Sequence, residues 1–428
     1  MGLCLGKTTA PPCWLDLPPE VAGEILCRLP TQEDRINFRT VCREWHLAAR
    51  HHGSVLPPVV PCINLGNGMY QSIVTDHNSS KVYRRRFPGP TDFRARATFG
   101  GWVLYKHESS RQLFLYKPSS SSTPAIKLAC SYEQTMNRET GNYNPLAALI
   151  LDHWLFLLKK IVVCSSRLVA AMNGRALLID APVGSYCFSP KTTNILYALH
   201  FSYKDIAFHR GKIFALSSTE HLFSHCLAGE ASSQGLTDQM EGLFWHWSSG
   251  ETPYQIRTEH VIKEQPSAVA AAANNYHHLV TSADNQKLLM VRWSVPQPSN
   301  CIEDDNQVMS LQVFEAELDK GMWMEVKDLG NQVLFVGPTG SRAFLAEGSS
   351  KHYYSPTFQG GNRVFILGHD WESARRLAAA TPSRYLERQK LVNDVPNYFV
   401  YDMATGKSSL VGHRSTKSPK AEWFFSSV

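Results

Sequence analysis

From about residue 60 onward the chain is a succession of short apolar runs, each broken by Gly, Ser, Asn, Asp or Pro. Val82-Tyr83, Gly101-Trp102-Val103-Leu104-Tyr105, Leu113-Phe114-Leu115-Tyr116 and Ala176-Leu177-Leu178-Ile179 are early examples. Lys212-Ile213-Phe214-Ala215-Leu216, Leu288-Leu289-Met290-Val291, Val333-Leu334-Phe335-Val336 and Val364-Phe365-Ile366-Leu367 follow. Roughly twenty such runs succeed one another at the spacing of an all-β protein. Helical patterns of about 10 to 15 residues do not alternate with them, which argues against a parallel α/β fold. A sandwich of that many strands would need two domains, and no clear second linker is present. Radial repetition of four-stranded blades, a β-propeller, holds them in one domain. His209-Arg210-Gly211-Lys212-Ile213-Phe214-Ala215-Leu216 and Gly360-Gly361-Asn362-Arg363-Val364-Phe365-Ile366-Leu367 repeat one pattern, a polar turn leading into an apolar strand. The repeat is too degenerate to give a blade number.

Residues 14 to 50 follow a different rule. Asp16 suits an N-cap, and Pro18 and Pro19 fall where a first helical turn tolerates a missing donor. Val21, Ile25 and Leu29 recur every four residues as one apolar stripe, and Pro30 ends the pattern. Thr31 and Asp34 resemble a capping box that starts a second helix. Phe38, Val41, Cys42 and Trp45 form another stripe before the His51-His52-Gly53 break. Three short helices cannot bury all this apolar surface on one another, so the unit is marginal alone and its leftover patch belongs to a partner.

This stretch resembles an F-box. The family pattern of Leu-Pro, an acidic residue, Ile-Leu-x-x-Leu-Pro and Val-Cys-Arg-x-Trp is met by Leu17-Pro18, Glu20, Ile25-Leu26, Leu29-Pro30 and Val41-Cys42-Arg43-Glu44-Trp45. The resemblance implies docking on a Skp-type adaptor, and through it on a cullin-RING ubiquitin ligase. The adaptor-binding residues it implies are Leu17, Pro18, Val21, Ile25, Leu29, Phe38, Val41, Cys42 and Trp45, with Ile25 and Leu29 as anchors.

The larger region is similar to the C-terminal, kelch-like domain of a plant F-box group that includes the KIB F-box proteins. Its anchors are Phe99-Gly100-Gly101-Trp102-Val103-Leu104, the run from Ile206 to Leu216, Trp323 to Gly337, Asn397 to Met403, and Trp423-Phe424-Phe425. Ser426 departs from the group's usual proline, and Lys117-Pro118 from its usual Asn-Pro. The implied architecture is mainly β with a small all-α N-terminal unit, a three-helix F-box followed by a β-propeller. The expected organisation is a tail over 1–12, the F-box over 13–52, a linker over 53–62 and the propeller over 63–428.

At 428 residues the chain is long enough for a large core plus an appendage, and 43% hydrophobic with 19% charged residues is ordinary for a folded protein. A net charge of +6, spread along the chain, does not call for nucleic acid; Arg84-Arg85-Arg86, the densest basic run, reads as a solvated edge. Ten cysteines occur without a CxxC and with no signal peptide ahead of them, so reduced thiols in the cytoplasm or nucleus are expected. Met1-Gly2 begins an acylation-like sequence, but Gly6 stands where Ser or Thr is needed. The most apolar window, Leu146 to Cys164, is interrupted by Asp152, His153, Lys159 and Lys160, which disfavours a membrane span.

No GxSxG, P-loop, HExxH or dinucleotide fingerprint is present, and no cofactor or metal is expected. His221, His225 and Cys226 lack a second half-site at zinc spacing. Trp245-His246-Trp247 and Tyr276-His277-His278 read as blade packing, with the propeller mouth as the other placement. Ser299 to Asn306 reads as a solvated acidic loop, and Trp371 to Leu391 as a helical insertion broken at Pro382. The functional expectation is a non-catalytic substrate receptor whose propeller binds an unidentified target protein. The resemblance also admits a non-degradative F-box protein that sequesters or inhibits a partner such as a kinase. A propeller glycosidase would need a facing pair of carboxylates.

Overall fold

The computed structural model describes residues 14, 17–29, 32–52, 61–66, 69–73, 82–84, 93–107, 109, 113–117, 125–128, 158–165, 168–172, 177–181, 184–188, 203–228, 244–247, 255–263, 275–294, 309–346, 360–367, 398–411 and 422–425. Helices come first: α1 (Pro19–Arg28), α2 (Gln32–Val41) and α3 (Arg43–His52). Strands β1 (Cys62–Gly66), β2 (Met69–Ser72) and β3 (Val82–Arg84) begin a first sheet. A second holds β4 (Phe93–Phe99), β5 (Trp102–His107), β6 (Leu113–Tyr116) and β7 (Ile126–Lys127). A third holds β8 (Lys160–Val163), β9 (Val169–Met172), β10 (Leu177–Ala181) and β11 (Gly184–Phe188). A fourth begins with β12 (Tyr203–His209), β13 (Lys212–Ser217) and β14 (Leu222–Ala228). The chain then returns to the third sheet with β15 (Phe244–Trp247) and completes the fourth with β16 (Gln255–Ile262). β17 (Asn275–Thr281), β18 (Leu288–Ser294), β19 (Ser310–Glu317) and β20 (Met322–Val326) make the fifth. β21 (Gln332–Val336), β22 (Arg342–Leu345), β23 (Arg363–Ile366), β24 (Tyr398–Asp402) and β25 (Lys407–Val411) make the sixth. Finally β26 (Glu422–Phe424) joins the first sheet, antiparallel to β1, with Cys62 opposite Phe424 and Asn64 opposite Glu422.

Each apolar run quoted from the sequence lies in one of these strands or overlaps it. β13 and β18 are buried almost throughout because neighbouring sheets cover both of their faces, whereas Trp323 of β20 is buried between exposed Met322 and Met324. The apolar core lies between sheets. Phe214 and Leu216 meet Met290 and Phe314 between the fourth and fifth, and Val291 and Trp293 meet Leu334 and Val364 between the fifth and sixth. Edge strands β26, β4, β8, β12, β17 and β22 adjoin one another in that order. The indole N–H of Trp423 in β26 donates to the Val336 carbonyl at 2.9 Å and closes the ring on β21. The fold is thus a β-propeller preceded by three helices, with six sheets among the described residues.

Two details differ from the sequence pattern. Arg210 and Gly211, with φ of 46° and 79°, make a two-residue turn that pairs His209 with Lys212 in a hairpin. Its apparent counterpart at Gly360-Gly361-Asn362 leads into β23, which lies parallel to β21. There a Cβ on Gly361 would sit 2.3 Å from the Gly330 carbonyl oxygen, so glycine permits the close approach. The insertions at 299–306 and 371–391 lie outside the described residues, as do Arg85 and Arg86.

Polar side chains link the edge strands. The buried Asp205 of β12 accepts from Lys160 Nζ of β8 at 2.7 Å and from its neighbour's N–H, Ile206, at 2.8 Å. Its other oxygen accepts from the Leu279 N–H of β17 at 2.6 Å. Burial pushes the Asp205 carboxyl up, and the Lys160 ammonium and the two amides oppose that. Glu422 of β26 likewise accepts from the N–H and hydroxyl of Thr98 in β4. Asp205→Ala strands the Lys160 ammonium in a dry site, so a loss of about 3–5 kcal/mol is expected in chemical denaturation. The Asp205→Ala/Lys160→Met pair should recover most of it, because no buried charge is then left alone.

Candidate functional site

The helical unit is built around small residues. Ala22 and Leu26 of α1 pack with Ala48 and Ala49 of α3 and Phe38 of α2. Gly23 lies so close to α3 that a Cβ there would meet the His52 ring at 2.3 Å. The α1 residues buried inside the unit are Ala22, Gly23 and Leu26, while Ile25 and Leu29 of the Val21-Ile25-Leu29 stripe pack partly buried against that core and Val21 is exposed. The small residues win the interior because they let the helix axes approach.

The helix ends are specified locally. Pro18, not Asp16, occupies the N-cap position of α1 and accepts the Ala22 N–H at 3.0 Å, with Pro19 in the first turn. Asp16 and Thr31 lie outside the described residues. Arg35, buried, donates from Nε to the Leu29 carbonyl at 2.9 Å and so ties α2 to the end of α1. Cys42 stands between α2 and α3, and its Sγ accepts the Trp45 N–H at 3.4 Å, the role an N-cap side chain performs. Trp45 stacks on Phe38 with centroids 4.4 Å apart and donates from Nε1 to the Trp14 carbonyl at 3.3 Å.

The nine residues singled out in the sequence divide by burial. Phe38, 4% exposed, belongs to the unit's own core and presents no surface. Leu17, Ile25, Leu29 and Trp45 are half-buried against that core, and Cys42 is half-buried at the α2–α3 junction. Pro18, Val21 at 44% and Val41 at 55% face outward. Trp14, Ile36 and Leu47 are exposed as well, and the periodicity missed them because it ranked positions by one stripe per helix. All three helices thus contribute uncovered apolar side chains.

In the propeller, sequence reasoning missed a buried polar cluster between the fourth and fifth sheets. Glu220, in the β13–β14 turn with φ of 62°, accepts from His277 Nε2 at 2.8 Å and from Arg292 Nη1 at 2.9 Å. Arg292 also reaches Gln312 at 2.7 Å and lies 4.8 Å over the Phe314 ring, while Trp323 Nε1 donates to the Glu220 carbonyl at 2.9 Å. Residues from four strands and one turn meet there, which no local pattern announces. Tyr276 stacks on Trp293 at 4.1 Å and His278 is buried, so both pack inside the blades. Trp245, His246 and Trp247 form β15.

His221, His225 and Cys226, read in the sequence as lacking a second half-site, stand on or beside β14. Burial holds His225 down to about 4, His221 lies 5.0 Å from His260 between ring centroids, and His260 stacks on Phe223. Among the described residues no group of three or more His, Cys, Asp or Glu side chains is arranged to hold a metal ion. No helix among them is long and apolar enough to cross a membrane.

Two family models match the chain. An F-box domain covers residues 14–55, and the KIB1-4 beta-propeller covers residues 70–402. The second spans well over half of the 428 residues, so the chain belongs to the KIB1-4 beta-propeller family and carries an F-box ahead of the propeller. The closing pair β1 and β26 lies outside the matched propeller range. No curated protein matches. Among solved structures, the extracellular domain of a one component system from B. thetaiotaomicron is 10% identical, with a TM-score of 0.15. The match covers 82% of this chain and spans 60% of that one, and at this TM-score it carries no argument.

Burial alone would raise the Glu220 carboxyl, but His277 and Arg292 together hold it below the usual carboxylate range. A carboxyl depressed in the folded state stabilises fully above its ordinary value of 4.5 and loses that contribution as pH falls through the folded value. Melting temperature should therefore drop on acidification below about pH 4.5, and Glu220→Gln should flatten that acid limb. An unchanged acid limb in the variant would remove Glu220 from the account.

Proposed function

We propose that this chain is the substrate-recognition subunit of an Skp-cullin-F-box type ubiquitin ligase. The three helices dock on a Skp-type adaptor and the propeller holds a target protein. The carrying observation is that a unit with the F-box pattern leaves Trp14, Val21, Ile36, Val41 and Leu47 uncovered. Exposed apolar residues on so small a unit fit a surface built to be covered by a partner. Pro18, Val21 and Val41 contribute directly, and Leu17, Ile25, Leu29, Cys42 and Trp45 contribute their half-buried sides. Phe38 acts from beneath, as the ring on which Trp45 rests.

The chain performs no covalent step in this reading. F-box and propeller units are typically adaptor or receptor modules, and a receptor acts by raising the target's effective concentration at the ligase. The setting is the cytoplasm or nucleus, where the ligase machinery operates.

The test is capture of a Skp-type adaptor by the purified full chain and by Val21→Glu/Val41→Glu. Both side chains are exposed, so the fold should be kept and adaptor affinity should fall at least about tenfold. Unimpaired capture by the variant would sink the docking face. A captured partner whose lifetime ignores proteasome inhibition would shift the role from degradation to sequestration.

A further inference from the structure

The fourth and fifth sheets meet along a seam that is held differently at its two ends. β12 alternates its side chains between neighbours: Ile206 packs with Ala170 and Met172 of the third sheet, and Ala207 with Leu279 and Leu288 of the fifth. His209, two residues beyond Ala207, therefore turns toward the fifth sheet at the β12–β13 turn. It is 2% exposed, and its ring centroid lies 6.1 Å from that of Phe214. Neither ring nitrogen has a hydrogen-bond partner among the described residues. A neutral imidazole is tolerated in such a place, whereas a charged one is desolvated with no counter-ion.

Beside it, the hairpin reaches across the seam. Arg210 Nη2 donates to the Gln286 carbonyl at 2.8 Å and to its side-chain oxygen at 3.1 Å, in the turn between β17 and β18. Thr281 Oγ1 donates to the Phe208 carbonyl at 3.4 Å. The charged groups at this end are Arg210 and Lys212 on the hairpin and Asp284 and Lys287 on the turn. Lys212 lies 3.5 Å from Glu259 and Lys287 2.8 Å from Glu315, while Asp284 accepts from the Ser282 hydroxyl and the Gln286 N–H. Burial first, and the Arg210 charge second, hold the His209 ring below its ordinary value of 6.5. The other end of β13 is built the opposite way, with His277 and Arg292 sharing the Glu220 carboxylate at 2.8 and 2.9 Å. A proton on His277 meets a carboxylate; a proton on His209 stands next to a guanidinium.

We propose that His209 is an acid-operated latch: protonation of its ring releases the β12–β13 hairpin from the β17–β18 turn, and the seam opens from that end. The ring takes the proton only once the hairpin has moved. Closure is therefore fully stable above the ordinary histidine value and weakens as pH falls below it. The Glu220 end keeps its contribution down to the ordinary carboxylate value of 4.5, so the two ends let go in different pH ranges.

The experiment is amide hydrogen exchange on the purified full chain, corrected for the pH dependence of the chemical rate. One proton taken up on opening favours the open seam about tenfold between about pH 7.5 and about pH 5.5. Protection over residues 206–216 and 279–288 should fall by that factor, and protection over residues 290–294, at the Glu220 end, should hold. His209→Gln keeps a polar side chain but takes no proton, so its protection should be equal at the two pH values. Exchange at the imidazole C2 position of His209 in the unmodified chain gives the protonation curve directly, and it should coincide with the loss of amide protection. Equal protection of the unmodified chain at both pH values would overturn the latch. So would a pH-dependent loss that survives in His209→Gln, or a His209 protonation curve that does not coincide with opening.

Discussion

The carboxylate of Asp205 is the point on which three successive sheets agree. One oxygen takes Lys160 from the sheet before it, and the other takes a backbone amide from the sheet after it. An ion pair this deep gains little net stability over a well-packed apolar substitute. Its weight is geometric: the carboxylate is satisfied only when β8, β12 and β17 stand at one relative height. Burial between sheets, with Trp293, Phe314, Phe335 and Phe365 all nearly inaccessible, supplies most of the favourable free energy. The apolar contacts are tolerant of small slides, and the polar links are not.

Closure imposes the second constraint. β26 must find β1 across almost the whole chain, and Cys62 faces Phe424 only when every sheet between them has formed. Such a pairing is costly to close in the unfolded chain and is expected to form late. Trp423 secures it, because its indole is fully buried and its N–H reaches the next sheet. Glu422 performs the same service toward β4.

The two parts of the molecule then divide the work by rigidity and exposure. The described sheets pack their buried apolar residues against neighbouring sheets around the ring. Among the described residues the helical unit buries five apolar side chains, Ala22, Leu26, Phe38, Ala48 and Ala49, and leaves apolar groups of all three helices uncovered. A ring that positions and a small unit that docks suit a receptor.

Much of this was legible in the chain itself. Short apolar runs broken by turn residues dictate strands, because a strand needs only four to six residues and a turn. The F-box pattern, with its prolines and its Val41-Cys42-Arg43-Glu44-Trp45 run, dictates three short helices. Which face of α1 turns inward was not legible: Ala22 and Gly23 carry little hydrophobicity, and their smallness matters only once α3 lies against them. The parallel pairing of β21 with β23 and the Glu220 cluster were likewise decided only by tertiary structure. Local periodicity reports how a residue sits in its own element. Contacts between residues tens to hundreds of positions apart depend on which elements become neighbours, and that is settled by the closed ring.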